Sequence, residues 1–112
     1  MQNQPIEANV YQVVVNVPKG NDVYIVTTDF VSKDNKEWIT AHFQRNLNGI
    51  DLPSHLGNTK RSNFTENILE AGTSTDTWQG TRDKEWDRVI QRMKEIYGEK
   101  ALIDIKPWKK SV

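Results

Sequence analysis

Between residues 9 and 46 apolar and polar side chains alternate in three runs separated by short polar turns. This period of two constrains the fold more than any other feature of the chain, because it places one set of side chains on each side of a sheet. The first run, Asn9 to Val17, sets Tyr11, Val13, Val15 and Val17 against Gln12 and Asn16. Pro18-Lys19-Gly20-Asn21 then supplies turn residues, since Pro presets φ and Gly or Asn tolerates positive φ. The second run, Asp22 to Ser32, is rich in β-branched and aromatic residues. Lys33-Asp34-Asn35-Lys36 reads as a four-residue polar turn, and the third run, Glu37 to Asn46, carries Ile39, Ala41 and Phe43 on one parity. Asn48-Gly49 is a strong hairpin signal, leading to a short fourth strand at Ile50 to Leu52 that Pro53 stops.

Turn lengths imply a register. With Val17 opposite Asp22, Val15 faces Tyr24, Val13 faces Val26 and Tyr11 faces Thr28. With Ser32 opposite Glu37, Phe30 faces Ile39, Thr28 faces Ala41 and Val26 faces Phe43. Both hairpins, read independently, bring the same parity of the middle run against the apolar sides of its neighbours. A slip of one residue would invert every side chain, so this agreement favours an antiparallel meander.

Beyond residue 53 the pattern changes. Phe64 to Ala71 fits a short helix capped by Ser62 and ended by Gly72, with a strand as the alternative. The hydroxyl-rich Thr73 to Thr77 suits a loop better than an exposed edge strand. Arg82 to Glu99 carries Trp86, Val89, Ile90, Met93, Ile96 and Tyr97 at three- and four-residue spacing, the stripe of an amphipathic helix. Thr81 is its expected N-cap and Gly98 its left-handed terminator. Val89, Ile90 and Met93 are expected to pack on Val13, Val15, Val26 and Phe43. Ala101 to Ile105 reads as a last strand at a sheet edge, ended before Pro107. The expected class is α+β: an antiparallel meander of four to five strands with one long C-terminal amphipathic helix packed on one face. Residues 1–8 are expected to form a flexible tail, 9–106 the single domain and 107–112 a basic tail.

Composition narrows the functional classes. Leu, Ile, Val and Phe total 27 of 112 residues, enough for one modest core and against intrinsic disorder. There is no Cys, which excludes disulfides and thiolate chemistry. No apolar run approaches the ~20 residues of a membrane span, and the start lacks the basic and apolar regions of a secretory signal, so a soluble cytoplasmic protein without membrane contact is expected.

Candidate chemistry is sparse. The only histidines are His42 and His55. The register sets His42 opposite Thr27 and diagonal to Asp29, a minimal vocabulary for a small enzyme, but no Gly-rich elbow or second acid–base partner accompanies it. Two histidines define no metal shell, isolated glycines cradle no phosphate, and no cofactor is called for. Lys60 and Arg61, with Trp108, Lys109 and Lys110, form basic spots with an aromatic that suits nucleic-acid contact. A net charge of zero and −3 over residues 63–81 weigh against that reading.

The second parity of the sheet carries the favoured reading. It collects Val10, Val14, Val23, Ile25, Val31 and Trp38 among Gln12, Thr27, Asp29, Thr40, His42 and Gln44, more apolar than a solvated face requires. Either residues 50–80 fold over it or it contacts another chain. The expectation is a non-enzymatic protein-binding domain (adaptor, inhibitor or self-associating subunit), with a protein partner or a second copy as a homodimer. Its surface would be Trp38, Ile25, Val14, Thr40 and His42.

Overall fold

The alternating first half folds as a three-stranded meander in the computed structural model, which describes residues 9–46 and 62–107. Its strands are β1 (Asn9–Val17), β2 (Gly20–Lys33) and β3 (Lys36–Arg45). The β2–β3 register follows the turn arithmetic: Ser32 pairs Glu37, Phe30 pairs Ile39, Thr28 pairs Ala41 and Val26 pairs Phe43. The turn itself is tighter than four residues. Lys33 pairs Lys36, leaving Asp34 and Asn35 at φ 56° and 61°, the two positive values a two-residue type I′ hairpin demands.

The β1–β2 register departs from expectation by two residues. Val17 pairs Gly20, so Val15 faces Asp22, Val13 faces Tyr24 and Tyr11 faces Val26. The loop closes over Pro18-Lys19 alone, and each residue removed from a hairpin loop joins the ladder. An even shift keeps every side chain on its own face, so the division between core and second face is unaffected.

The single long C-terminal helix is corrected. Helical cover comes in two shorter pieces: α1 (Asn63–Ala71) and a 16-residue stretch in which a 3-10 turn, Arg82–Lys84, leads into α2 (Glu85–Tyr97). α1 forms because the Ser62 hydroxyl accepts the Thr65 amide at 3.2 Å, and it stops because Gly72 takes φ 79°, the left-handed cap. Thr81 does not cap the helix amides. Its hydroxyl donates to the Asp83 carboxylate, and the first turn tightens instead. Gly98 has the positive φ expected, 104°, but with ψ 161° it leaves the helix extended rather than in the left-handed cap geometry.

The meander is also only part of the sheet. Thr73–Gln79 is strand β4 rather than a loop, and Leu102–Pro107 is β5, which includes Pro107 instead of ending before it. The order β4-β3-β2-β1-β5 is antiparallel throughout the pairings, with β4 and β5 on opposite edges. The chain through α2 therefore crosses from one edge of the sheet to the other. The expected strand at 50–52, the tail at 1–8 and residues 108–112 lie outside the described residues.

One face carries the core. Val13, Val15, Tyr24, Val26, Ala41 and Phe43 pack beneath Phe64, Ile68, Val89, Met93 and Ile96. Ile90, expected in this set, is only half-buried, while Ile96 is fully covered. At 3.6 residues per turn Val89, Met93 and Ile96 lie along one line, and Ile90 falls to its side. Ring contacts extend the packing: Phe64 meets Phe43 edge-on at 4.8 Å, and Trp86 meets Tyr11 at 4.0 Å.

Two buried carboxylates clamp the helices to the sheet. Asp22, fully buried, accepts Arg45 Nε at 2.6 Å, the Tyr97 hydroxyl at 2.5 Å and the Val23 amide at 3.1 Å. Tyr24 joins through a 3.0 Å contact between hydroxyls with Tyr97. Asp76 of β4 accepts Arg88 Nε at 2.8 Å and Arg92 at 2.9 and 3.1 Å, while Arg92 also lies 4.7 Å over the Phe64 ring. Buried charge stabilises only when paired and hydrogen-bonded, and both carboxylates meet that condition.

Candidate functional site: the sheet face opposite the helices

Both helices pack on the core side, so the opposite face of the five strands carries no helix among the described residues. The registers lay its side chains out in rows. At one end, Gln79, Trp38 and Val31 stand side by side across β4, β3 and β2. The next rows are Thr77, Thr40, Asp29 and then Thr75, His42, Thr27, Val10. Beyond them come Thr73, Gln44, Ile25, Gln12 and Lys106, followed by Val23, Val14 and Asp104.

This layout brings some of the expected contact residues together and separates others. Trp38 pairs directly with Val31, which is 52% exposed, and Trp38 itself is half-buried. Ile25, Val23 and Val14 form a second cluster, also half-buried. Val31 and Ile25 are six residues apart on β2, roughly 20 Å at ~3.3 Å per residue, so Trp38 does not neighbour Ile25 or Val14. The face carries two apolar patches with a polar belt between them, where sequence parity implied one patch. Parity assigns a face but says nothing of position along the strand.

Thr40 and His42 lie in the belt, and the belt is hydrogen-bonded across strands. Thr40 and Thr77 hydroxyls meet at 3.3 Å, and His42 Nδ1 meets the Thr75 hydroxyl at 3.2 Å. His42 Nε2 and Asp29 Oδ2 are 3.7 Å apart, close enough for charge attraction but beyond a hydrogen bond. Asp29, His42 and Thr75 thus make a carboxylate, imidazole and hydroxyl series, with the His42 and Asp29 side chains about half exposed, at 53% and 48%. The diagonal placement of His42 and Asp29 was legible in the register. Thr75 and Thr77 were missed, although Thr at 73, 75 and 77 is itself a period-two, β-branched signal.

A shallow hollow of about 530 Å³ opens at the second patch, bordered by Gln12, Val23, Ile25, Gln44, Arg45 and Thr73. His42 does not border it. The groups that burial perturbs lie under the helices instead. Burial pushes the Tyr24 and Tyr97 hydroxyls up, and it raises the Glu85 carboxyl above its ordinary 4.5 despite the opposing hydrogen bond from the Tyr11 hydroxyl. Among the described residues no group of three or more His, Asp or Glu is arranged to hold a metal ion. No helix among them is long and apolar enough to cross a membrane. The basic candidates Lys60, Arg61, Trp108, Lys109 and Lys110 lie outside the described residues.

Comparison with protein-family models, with curated proteins and with solved structures returned no match.

Proposed function

We propose that the chain is a small non-enzymatic protein-binding domain whose contact surface is the sheet face opposite the helices. One observation carries the reading. A five-stranded sheet with both helices on one side leaves Trp38 and Val31 at one end of the other side, and Val14, Val23 and Ile25 at the other. Apolar clusters separated by hydrogen-bonding Thr40, Thr75 and Thr77 suit a protein surface that offers two apolar anchors and a polar strip between them. Among the described residues Asp29, His42 and Thr75 border no hollow, so the enzymatic reading ranks behind.

The test uses Trp38→Ala and Ile25→Ala separately. Trp38→Ala is expected to weaken association by about 2 kcal/mol or more, as aromatic anchors do. Its folding stability should fall by only about 1 kcal/mol, the centre of the range for single substitutions. Affinity capture from the native host, repeated with each variant, reads the first quantity, and denaturant melts read the second. A partner retained equally by wild type and both variants would remove the face from the reading.

A further inference from the structure

We infer that the outer edge of β5, which no strand among the described residues pairs, joins antiparallel to the β5 of a second copy of this chain, centred on Ile105. The inference concerns the sheet edge, not its face, so it stands or falls separately from the function proposed above.

The hydrogen-bond parity of the sheet shows which backbone groups face outward. Antiparallel pairs alternate between hydrogen-bonded and non-bonded, and the pair closing a two-residue hairpin is bonded. Val17 and Gly20 are that pair, so the odd residues of β1 bond β2 and the even ones bond β5. Gln12, Val14 and Asn16 therefore hold Lys106, Asp104 and Leu102. The same alternation, carried across β2 and β3, predicts the observed Asn46 amide to Val23 carbonyl bond and the Arg45 amide to Gly72 carbonyl bond, both 2.8 Å. On β5 the N–H and C=O groups of Ile103 and Ile105 and the C=O of Pro107 point away from the sheet. Pro107, which has no N–H, costs the β1 ladder no bond and offers only its carbonyl at the outer edge.

Charged residues at an edge ordinarily discourage pairing. Here they select one register. In a two-fold antiparallel pair centred on Ile105, Asp104 stands opposite the second copy's Lys106, and the symmetry repeats the match. These are non-bonded positions, where side chains approach most closely. The two Ile105 residues exchange both backbone bonds, and each Ile103 N–H reaches the second copy's Pro107 carbonyl. Centring on residue 104 sets Asp104 against itself, and centring on 106 sets Lys106 against itself. Centring on Ile103 places Leu102, 71% exposed, against Asp104. Only the Ile105 register satisfies the charges.

Sedimentation equilibrium of the full chain over a wide concentration range tests this. The wild type is expected to dimerise, and Asp104→Lys or Lys106→Asp alone to weaken the dimer at least tenfold. The double swap Asp104→Lys with Lys106→Asp restores the complementarity and is expected to return affinity to within about threefold of wild type, since exposed charge matching depends on geometry more than on which strand holds which sign. Thermal melts confirm that each variant folds. A wild type that stays monomeric at the highest concentration overturns the inference. So does a dimer that the single reversals leave intact, or one that the double swap does not recover.

Discussion

The two faces of this sheet are built by the same strands from alternating residues, yet they treat polarity in opposite ways. Under the helices, polar side chains are few and mostly held in networks: Asp22 by Arg45 and Tyr97, Asp76 by Arg88 and Arg92. On the face opposite the helices Thr40, Thr75, Thr77, His42 and Asp29 form a belt between the Trp38–Val31 and the Val14, Val23 and Ile25 clusters. The difference teaches that the covered face is specified residue by residue, because unpaired charge there is costly, whereas the open face is free to be arranged for contact.

The contrast breaks first at Asp22. Asp22→Ala removes the buried carboxylate to which both Arg45, whose side chain is only 12% exposed, and the Tyr97 hydroxyl donate. Loss of one partner of a buried pair costs about 3–5 kcal/mol, and urea unfolding should show it. Ile96→Ala, which empties fully buried volume under α2, should cost about 2–5 kcal/mol in the same melt. Ile25→Ala on the other face, where the side chain is only half-covered, should cost clearly less.

Two carboxyls under the helices sharpen the comparison through opposite pH dependences. Burial raises Glu85 above its ordinary range, so the folded state holds its proton more tightly than the unfolded chain. Stability tied to Glu85 therefore falls as pH rises through that raised value, and Glu85→Gln should flatten this part of the profile. Burial also works to raise Asp76, but the hydrogen bonds and charges of Arg92 and Arg88 outweigh it and hold Asp76 below its ordinary 3.8. Its contribution is present above that ordinary value and lost as pH falls through the lowered one, and Asp76→Asn should flatten the acid limb. Melts from acid to neutral pH separate the two signs. The smallest effect is expected at Val31, 52% exposed at the end of the open face, where Val31→Thr should change stability by no more than about 0.5 kcal/mol.

The faces were legible because β-side-chain parity is a local property, and it survived even the two-residue register error at Pro18-Lys19. What the sequence hid was global. Thr73–Gln79 lacks an apolar alternation, since its inward residues are Ser74, Asp76 and Trp78, and Asp76 belongs there only because Arg88 and Arg92 arrive from α2. The helical stripe from Trp86 to Tyr97 was evident, but not its start, because Thr81 bonds Asp83 instead of the helix amides. The two-patch character of the face became visible only once the rows could be drawn across all five strands.

The strand order has a consequence for how the chain reaches its native state. β1 and β5, adjacent in the sheet, are drawn from the first and last described segments, and the Asp22–Tyr97 bond likewise joins residues 75 positions apart. Such distant pairings raise contact order and slow folding. On a ribosome β1, β2 and β3 emerge early as a hairpin ladder, but one side of β1 has no neighbour until Leu102–Pro107 has been synthesised. The nascent meander thus waits with one edge of β1 unpaired while the 56 residues between β3 and β5 are made, the interval in which unpaired strands are most prone to find the wrong partner.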